Sequence, residues 1–290
     1  MYQILLIKLT IIGLVIFSLA YFIYNFNFGS EVLATKQKLK TIVTSFIANF
    51  FDTFGIGSFS SIFAFRNLFN LMPDSRRYNG TLVIQAILPT ALQSLLFLQL
   101  VQVDLLTLVV SCVMLALGGM VGSYLVKLVS RQTIYMVMLI TFMITAILLV
   151  FNQLHWLNIG GDLIQVRGAK LILLGLIMFS AGGLPAFGVG YYSLVLIAIF
   201  LLGLSPVVAY PIMTTASTIQ MPTTALSMIK SRQFYSLSAL LMGISGAVAV
   251  FFAVPIISKI SGNSLKWILL MVLIYNISIL LKNMLISKKS

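Results

Sequence analysis

Two glycine motifs, each inside a long apolar segment, are the places where this sequence could do chemistry. Phe54-Gly55-Ile56-Gly57 interrupts the first segment, and Phe187-Gly188-Val189-Gly190 interrupts the second. Glycine ends helices and lets a ligand approach the backbone closely. A helix that begins directly after such a break presents unpaired N–H groups and a partial positive charge, which together favour anions. The alternative is that glycine serves only close helix packing. The residues expected to bind an anion at the breaks are Gly55, Gly57, Ser58, Gly188, Gly190 and Tyr191, and Tyr192 adds a further hydroxyl.

Asp52 is the one acidic residue deep inside an apolar run, three residues before the first break. A carboxylate within a membrane segment suggests a function, because it is expensive to bury there. Asp52 could take up a proton and couple the movement of an anion to the movement of that proton. The alternative is a structural carboxyl that caps the helix after the break. In the second segment Leu184-Pro185 stands at the corresponding place.

Further polar side chains lie within the apolar runs. Thr90 and Thr223 each follow a proline, at Pro89 and Pro222. Proline frees a backbone carbonyl one turn earlier and can kink a helix towards a cavity. These polar groups either line a binding site or form the interhelical hydrogen bonds that are common in membrane bundles. The candidates are Gln85, Thr90, Gln93, Thr215, Ser217, Gln220 and Thr223.

The residues needed for catalysis are too few to suggest an enzyme. The chain has one histidine, His155, and one cysteine, Cys112. A nucleophile with its base, a metal cluster or a pair of carboxylates cannot easily be assembled from these two residues and one buried acid. The sequence also contains no nucleotide-binding motif. We therefore expect no enzymatic activity, no bound metal and no cofactor.

The composition shows which elements must position these residues. Hydrophobic residues make up 60% of the 290-residue chain and charged residues 8%, whereas soluble domains carry about 25% charged residues. We therefore expect an all-α integral membrane protein surrounded by a lipid bilayer. The net charge of +13 lies in short clusters between apolar runs, which is typical of topology signals and not of nucleic-acid binding. Seven runs have the length of one crossing: 3–24, 78–100, 104–126, 132–151, 207–229, 234–257 and 266–286.

The two glycine-broken segments, 41–71 and 169–204, contain 31 and 36 residues. Each is too long for one comfortable crossing and too short for two crossings with a turn. If each forms a re-entrant hairpin, 13 of the 18 Lys and Arg residues lie on one side of the membrane and 5 on the other. If each crosses once, the split is 10 and 8. Because Lys and Arg favour cytoplasmic loops, we expect hairpins, with the carboxyl terminus in the cytoplasm and the amino terminus outside.

The second part of the chain repeats the first. The two glycine motifs align at a spacing of 133 residues, and Pro89 aligns with Pro222 at the same spacing. We expect an N-terminal helix and basic loop at 1–37, a first repeat at 38–152, a linker at 153–167 and a second repeat at 168–290. Each repeat would contain one hairpin and three spans, and this odd number of crossings inverts the second repeat. Inverted repeats with broken helices are a transporter architecture.

These features resemble the TauE/SafE family, also called the sulfite exporter or 4-toluene sulfonate uptake permease family. The resemblance covers about residues 40–285. Ser58-Phe59 and Tyr191-Tyr192 replace the last two glycines of a triple that is typical of the family. Besides the two breaks, the resemblance is carried by Asn79-Gly80-Thr81, by Thr214-Thr215-Ala216-Ser217, and by small-residue helices with Gly118, Gly119 and Gly122 and with Gly243 and Gly246.

The resemblance implies a secondary transporter in the cell membrane. Its substrate would be a small sulfur-containing anion such as sulfite, a sulfonate or a related organosulfur compound, moved by alternating access about the two breaks. Two alternatives stay open. One is a proton- or cation-coupled carrier of another small solute that uses Asp52, and the other is a membrane assembly factor that transports nothing. A homodimer is compatible with each of them.

Overall fold

The computed structural model of the protein describes residues 2–27, 31–55, 57–100, 103–154, 156, 162–259 and 262–287. Eleven α-helices make up most of these ranges, which contain no β-strand. Ile56 of the first break, and His155 and 157–161 of the predicted linker, lie outside the described residues. The helices are α1 (Tyr2–Tyr24), α2 (Thr35–Asp52), α3 (Ser58–Phe69), α4 (Ser75–Leu100), α5 (Leu105–Leu128), α6 (Arg131–Gln153), α7 (Ala169–Gly182), α8 (Tyr192–Leu201), α9 (Pro206–Lys230), α10 (Ser236–Ala253) and α11 (Gly262–Ser287), with 3-10 turns at Leu184–Phe187 and Val254–Lys259.

Six apolar segments in the described part of the chain are long enough to cross a membrane. Outward-facing side chains such as Leu6, Ile16 and Phe251 are more than half exposed. An apolar surface of this extent is unfavourable in water and suits lipid, so the protein is an all-helical membrane protein. The helices α9 and α11, which contain two further predicted spans, have 25 and 26 residues and are also long enough at 1.5 Å per residue. The six segments are Leu5–Tyr24, Arg76–Gln99, Leu105–Leu128, Gln132–Gln153, Ala169–Phe187 and Ser236–Ile256.

Both glycine-broken segments fold back on themselves. The ammonium group of Lys40, early in α2, lies 5.2 Å from the ring centre of Phe69, the last residue of α3. The ammonium group of Lys170, early in α7, donates a hydrogen bond of 3.2 Å to the carbonyl of Leu202, which follows α8. The beginning and the end of each segment therefore lie close together.

The first broken segment opens at the end of the bundle where most basic residues lie. Glu31, just before α2, accepts hydrogen bonds from the backbone and hydroxyl of Ser238 at the start of α10. Arg77 at the start of α4 donates to the carbonyl of Phe234, in the loop before α10. We call this the basic end; it carries Arg66, Arg76, Arg77, Lys127, Lys230 and Arg232.

The second broken segment opens at the opposite end, which we call the Asp104 end. Asp104 caps α5, and its carboxylate accepts a hydrogen bond of 2.9 Å from the backbone N–H of Thr107. Arg167, two residues before α7, donates two further hydrogen bonds of 2.7 Å to the same carboxylate. This pair ties the start of the second broken segment to the start of α5.

The helices pack in a reciprocal pattern. Helix α5 packs on α7 and α9, while α10 packs on α2 and α4. Helix α6 contacts α8, while α11 contacts α3. Helices α4 and α9 pack on each other, as do α6 and α11. These eight pairings are unchanged when α2 to α6 are exchanged with α7 to α11, whereas the contact of α8 with α9 has no equally extensive counterpart between α3 and α4. Helix α1 packs against α4 and α9.

Glycines allow α5 and α7 to approach closely. A Cβ atom placed on Gly118 would lie 1.9 Å from the carbonyl oxygen of Phe179, and one on Gly182 would lie 2.1 Å from that of Leu115. A Cβ atom on Gly246 of α10 would lie 2.7 Å from the side-chain nitrogen of Asn49 on α2. The two small-residue helices identified in the sequence, α5 and α10, therefore pack closely against the first helices of the broken segments, α7 and α2.

We expect Gly118→Ala to destabilise the fold, because the new methyl group meets backbone that cannot move aside. Overpacking of this kind costs about 1–3 kcal/mol. Gly13→Ala on α1 is the matched control, since no atom lies within 4 Å of the added Cβ. Thermal unfolding in detergent should show a lower midpoint for Gly118→Ala and no loss for Gly13→Ala. Equal midpoints would contradict the close crossing of α5 and α7.

The Asp104–Arg167 pair should make stability depend on pH. The hydrogen-bonded Arg167 guanidinium holds the pKa of the Asp104 carboxyl below its usual range. Because this pKa is lower in the folded than in the unfolded chain, the ionised carboxylate stabilises the fold above pH ~4 and ceases to do so as the pH falls further. Asp104→Asn should therefore lower the unfolding midpoint at pH 7 and have less effect at pH ~3. If Asp104→Asn lowered the unfolding midpoint equally at pH 7 and at pH ~3, this account would be contradicted.

Candidate functional site

Asp52 caps the helix that starts after the first break. Gly55 and Gly57 have φ angles of +90° and +88°, a region that favours glycine, and they turn the chain back between α2 and α3. One carboxylate oxygen of Asp52 then accepts a hydrogen bond of 2.5 Å from the backbone N–H of Ser58. From the sequence, this N–H is expected to be free for an anion. The structure corrects that expectation, because the chain supplies its own anion there.

The second carboxylate oxygen of Asp52 connects the first break to the second. It accepts a hydrogen bond of 3.0 Å from the side-chain amide of Gln93 on α4. The carbonyl oxygen of the same amide accepts a hydrogen bond of 3.2 Å from the hydroxyl of Tyr192, the first residue of α8. All three side chains are buried. We call these residues the Asp52–Gln93–Tyr192 chain, and it joins one half of the bundle to the other.

The two breaks also touch directly. A Cβ atom on Gly190 would lie 3.2 Å from the Cβ of Phe59, at the start of α3. The hydroxyl of Tyr210 on α9 donates a hydrogen bond of 3.3 Å to the carbonyl of Phe54. Tyr191 and Ser217 share a hydrogen bond through their hydroxyls. The structure therefore brings the predicted residues of both breaks to one buried place in the bundle.

The second break differs from the first in its local geometry. Its positive φ, +82°, is at Gly188, where an added Cβ would lie 2.4 Å from the side-chain oxygen of Asn79. Gly190 is not among the described residues with positive φ. The side chain of Tyr191, the residue that precedes α8, makes no capping hydrogen bond. The expectation of an uncapped helix start therefore remains a prediction at this break, although it is corrected at Ser58.

Helices α4 and α9 cross beside the breaks through hydroxyl groups. Ser94 and Thr215 share a hydrogen bond of 2.9 Å. Thr218 donates a hydrogen bond of 2.8 Å to the backbone carbonyl of Thr90. Since the residue numbers rise on one helix as they fall on the other, the two helices run antiparallel at this crossing.

The threonines that follow the prolines use their hydroxyls within their own helices. Thr90 donates to the carbonyl of Ala86 at 2.8 Å, and Thr223 donates to the carbonyl of Gln220 at 2.7 Å. These bonds satisfy backbone carbonyls near a proline and direct both hydroxyls along the helix. The prediction that these hydroxyls line a site therefore has no support in this geometry.

Gln85 and Gln220 each tie a long helix to the first limb of a broken segment. The side-chain oxygen of Gln85 accepts from the amide of Asn49 at 3.2 Å, and the amide of Gln220 donates to the carbonyl of Gly182 at 2.9 Å. The Gln85 nitrogen and the Gln220 oxygen are buried without a protein partner among the described residues. Each predicted glutamine thus keeps one unused hydrogen-bonding atom near a break.

One group of site residues was missed from the sequence. Helix α2 buries Thr41, Thr44, Ser45, Asn49 and Asp52 on one face, at spacings of three and four residues. That spacing marks one side of a helix and could have been read from the sequence. The hydroxyl of Ser45 donates to the carbonyl of Met242 on α10 at 2.6 Å, so this polar face packs against the second half. Ser94, Thr218 and Tyr210 were also missed.

Comparison of the chain with protein-family models, with curated proteins and with solved structures found no match.

We expect Asp52 and Gln93 to be coupled in stability. Removing the partner of a buried hydrogen-bonded carboxylate costs about 1–3 kcal/mol, and residues in contact deviate from additivity by about 0.5–3 kcal/mol. Asp52→Asn, Gln93→Leu and the double variant should therefore be non-additive in thermal or denaturant unfolding. Asp52→Asn combined with Asp104→Asn is the control and should be additive, because Asp104 lies at the end of the bundle. Additive effects of Asp52 and Gln93 would contradict the hydrogen bond between them.

Proposed function

We propose that the protein is a secondary transporter of a small anion that works by alternating access. The observation that carries this proposal is the meeting of two broken segments, opened at opposite ends of the bundle, at one buried polar place. Non-helical backbone at membrane depth is tolerated where it is buried in protein or lines a cavity. Broken helices that meet near the midplane are where transporters bind substrates and coupling ions.

The proposed architecture is two inverted repeats, 38–152 and 168–290, each with a re-entrant hairpin and three spans, after an extra N-terminal helix. The reciprocal packing of α2 to α6 and α7 to α11 supports it. So does the antiparallel crossing of α4 and α9. The segment Ala169–Phe187 is long enough to span a membrane by itself, but the contact of Lys170 with Leu202 supports a hairpin instead.

We further propose that the basic end is cytoplasmic and the Asp104 end lies outside, in a cell membrane. Arginine and lysine favour cytoplasmic loops. Helix α1 ends at the basic end, where the rings of Phe22 and Phe234 lie 5.8 Å apart. In this proposal the amino terminus lies outside, because α1 would cross the membrane once, and the carboxyl terminus lies in the cytoplasm.

The proposed substrate is a small sulfur-containing anion, such as sulfite or a sulfonate, and the proposed family is TauE/SafE. Both proposals rest on the sequence resemblance at the two breaks and the small-residue helices. The breaks also carry N–H and O–H groups that an oxyanion could recruit by replacing their present partners: the Ser58 amide, bonded to Asp52, the Tyr192 hydroxyl, bonded to Gln93, and the Tyr191 hydroxyl, bonded to Ser217.

Asp52 has a definite role in this mechanism. Its carboxylate occupies the helix start at which the substrate anion would bind. A proton on Asp52 removes the negative charge and weakens its bond to the Ser58 amide, so that the substrate anion replaces it. Binding of the anion and of the proton are thereby linked, and the two cross the membrane together. The carboxylate returns to Ser58 after both have left.

A carrier that uses Asp52 as the ligand of a cation is the second candidate. Both carboxylate oxygens of Asp52 already accept hydrogen bonds from donors, Ser58 and Gln93. Such donors stabilise a carboxylate but repel a cation, so this geometry favours the anion. We propose no enzymatic activity, and an assembly factor without transport would show no flux of any solute.

Flux of sulfite, methanesulfonate, sulfate and a neutral amino acid into proteoliposomes, with and without a pH gradient, tests the proposal. We expect saturable flux of a sulfur oxyanion that increases with a proton gradient in the same direction. Uptake of the amino acid without uptake of any of the three anions would reject the anion proposal. Gly57→Ala should reduce the flux at least tenfold, because alanine is strained at a φ of +88°. Gly168→Ala is the control for backbone strain, since its φ is also positive, at +56°, and its added Cβ meets no atom within 4 Å, but it lies before α7 at the Asp104 end and should keep the flux.

Asp52→Asn should separate transport from coupling. We expect this variant to keep some anion flux and to lose its dependence on the pH gradient, because it has no group that exchanges a proton. Complete loss of binding would favour the cation carrier. Unchanged pH dependence would show that Asp52 is only a helix cap.

A further inference from the structure

A cleft of about 330 Å³ lies on the outer side of the first broken segment. Helices α2 and α3 form two of its walls and α11 forms the third. Its lining is apolar apart from single hydroxyls, and ligand sites of this kind typically have about 300–1,000 Å³. The side chains that matter here are Ile47 and Phe51 of α2, Leu68 of α3, and Met271 and Tyr275 of α11.

The second half has a cleft of about 410 Å³ at the corresponding place, between α6, α7 and α8. Three lining positions correspond at the spacing of 133 residues that relates the two glycine motifs: Ile47 with Ser180, Phe51 with Leu184, and Ser61 with Leu194. The cleft therefore occurs in both halves and is not an accident of packing at one surface.

The first cleft opens sideways into the surroundings of the bundle. Met271 is 68% exposed and Leu68 59% exposed, and both line it. In a membrane protein these side chains face lipid, so an apolar chain can enter from the bilayer. The cleft lies apart from the Asp52–Gln93–Tyr192 chain, on the outer faces of α2 and α3.

Two lysines lie beyond the cleft towards the basic end. Lys40 precedes Ile47 by seven residues on α2, and Lys282 follows Tyr275 by seven residues on α11. Seven residues are two turns of a helix, about 10.5 Å, and return to the same face. Helical geometry therefore puts both lysines on the side of their helices that lines the cleft, and the Lys40 ammonium lies 5.2 Å from the ring centre of Phe69, next to the lining residue Leu68.

We propose that this cleft holds one acyl chain of an anionic phospholipid whose headgroup lies at Lys40 and Lys282. The acyl chain gains little free energy by entering the cleft, because the surrounding lipid tails are as apolar as the cleft itself. Selectivity must therefore come from the attraction between the two lysines and a negative headgroup. The proposal needs only that the protein is in a membrane and does not depend on the transported substrate.

The second cleft provides an internal contrast. Lys170 precedes its lining residue Ile177 by seven residues, but the Lys170 ammonium donates to the carbonyl of Leu202 at 3.2 Å. The second cleft therefore has the same apolar shape with a single cation that is already engaged. We expect it to accept acyl chains without preference for the headgroup.

Tryptophan fluorescence with brominated lipids tests the proposal on the full chain in vesicles. Trp156 and Trp267 are first replaced by Phe, and a single tryptophan is placed at Leu68 in the first cleft or at Leu176 in the second. Phosphatidylglycerol or phosphatidylcholine with brominated chains is then added to unbrominated phosphatidylcholine. At Leu68→Trp we expect half-quenching at an about 25-fold lower mole fraction of the anionic lipid than of phosphatidylcholine, since each of the two lysines contributes a factor of about five. At Leu176→Trp the two lipids should quench alike.

Lysine variants decide whether the preference comes from the proposed headgroup site. Lys40→Gln with Lys282→Gln should abolish the preference at Leu68→Trp. Lys282→Gln alone should lower it, and this variant leaves the contact of Lys40 with Phe69 in place should the double variant fail to fold. Equal quenching by both lipids at Leu68→Trp, or a preference that survives Lys282→Gln unchanged, would overturn the proposal.

Discussion

The hydrogen bond from the Ser58 amide to the Asp52 carboxylate is the contact on which the arrangement of the first half depends. Helix α3 begins in the interior of a membrane bundle, where no bulk water can satisfy its first N–H groups. A carboxylate six residues earlier meets this need only if the chain reverses sharply, which the positive φ angles at Gly55 and Gly57 allow. Gln93 donates a hydrogen bond to the second carboxylate oxygen, and Tyr192 donates one to Gln93, which connects Asp52 to the second half. The cap, the turn and the joining of the two halves are therefore one feature.

The reciprocal packing gives neither half a core of its own. Helix α5 of the first half closes on α7 of the second through Gly118 and Gly182, and α10 of the second half closes on α2 of the first through Gly246. Each broken segment is thus clasped by a glycine-bearing helix from the other half. An added Cβ would meet backbone carbonyl oxygens at Gly118 and Gly182, and the side chains of Asn49 and Pro89 at Gly246. A broken segment that moves relative to its partner helix must therefore give up this close contact.

The membrane class, the helices and the places of the breaks could be predicted from composition and apolar run length, because these depend on local chemistry. Thr90 and Thr223 were expected to line a site or to bond between helices, but their hydroxyls donate to carbonyls of their own helices. Such a carbonyl is always within reach of a helical threonine, so the sequence does not distinguish this role from the other two. The capping role of Asp52 was one of two alternatives, and only the turn geometry shows the contact with Ser58. The bond between Gln93 and Tyr192 joins residues 99 positions apart, and no local pattern encodes it. The polar face of α2, by contrast, could have been predicted, because its polar residues recur at intervals of three and four positions.

The distance along the chain between α2 and α10 has a consequence for how the protein is made. Ser45 finds its acceptor at Met242, 197 residues later. During synthesis α2 emerges long before that partner exists, and until then its polar side chains have acceptors and donors in their own helix and in α4, such as Gln85 and Gln93. The contact of Ser45 with α10 forms only after nearly the whole chain has been made, so the packing around the first broken segment is completed late.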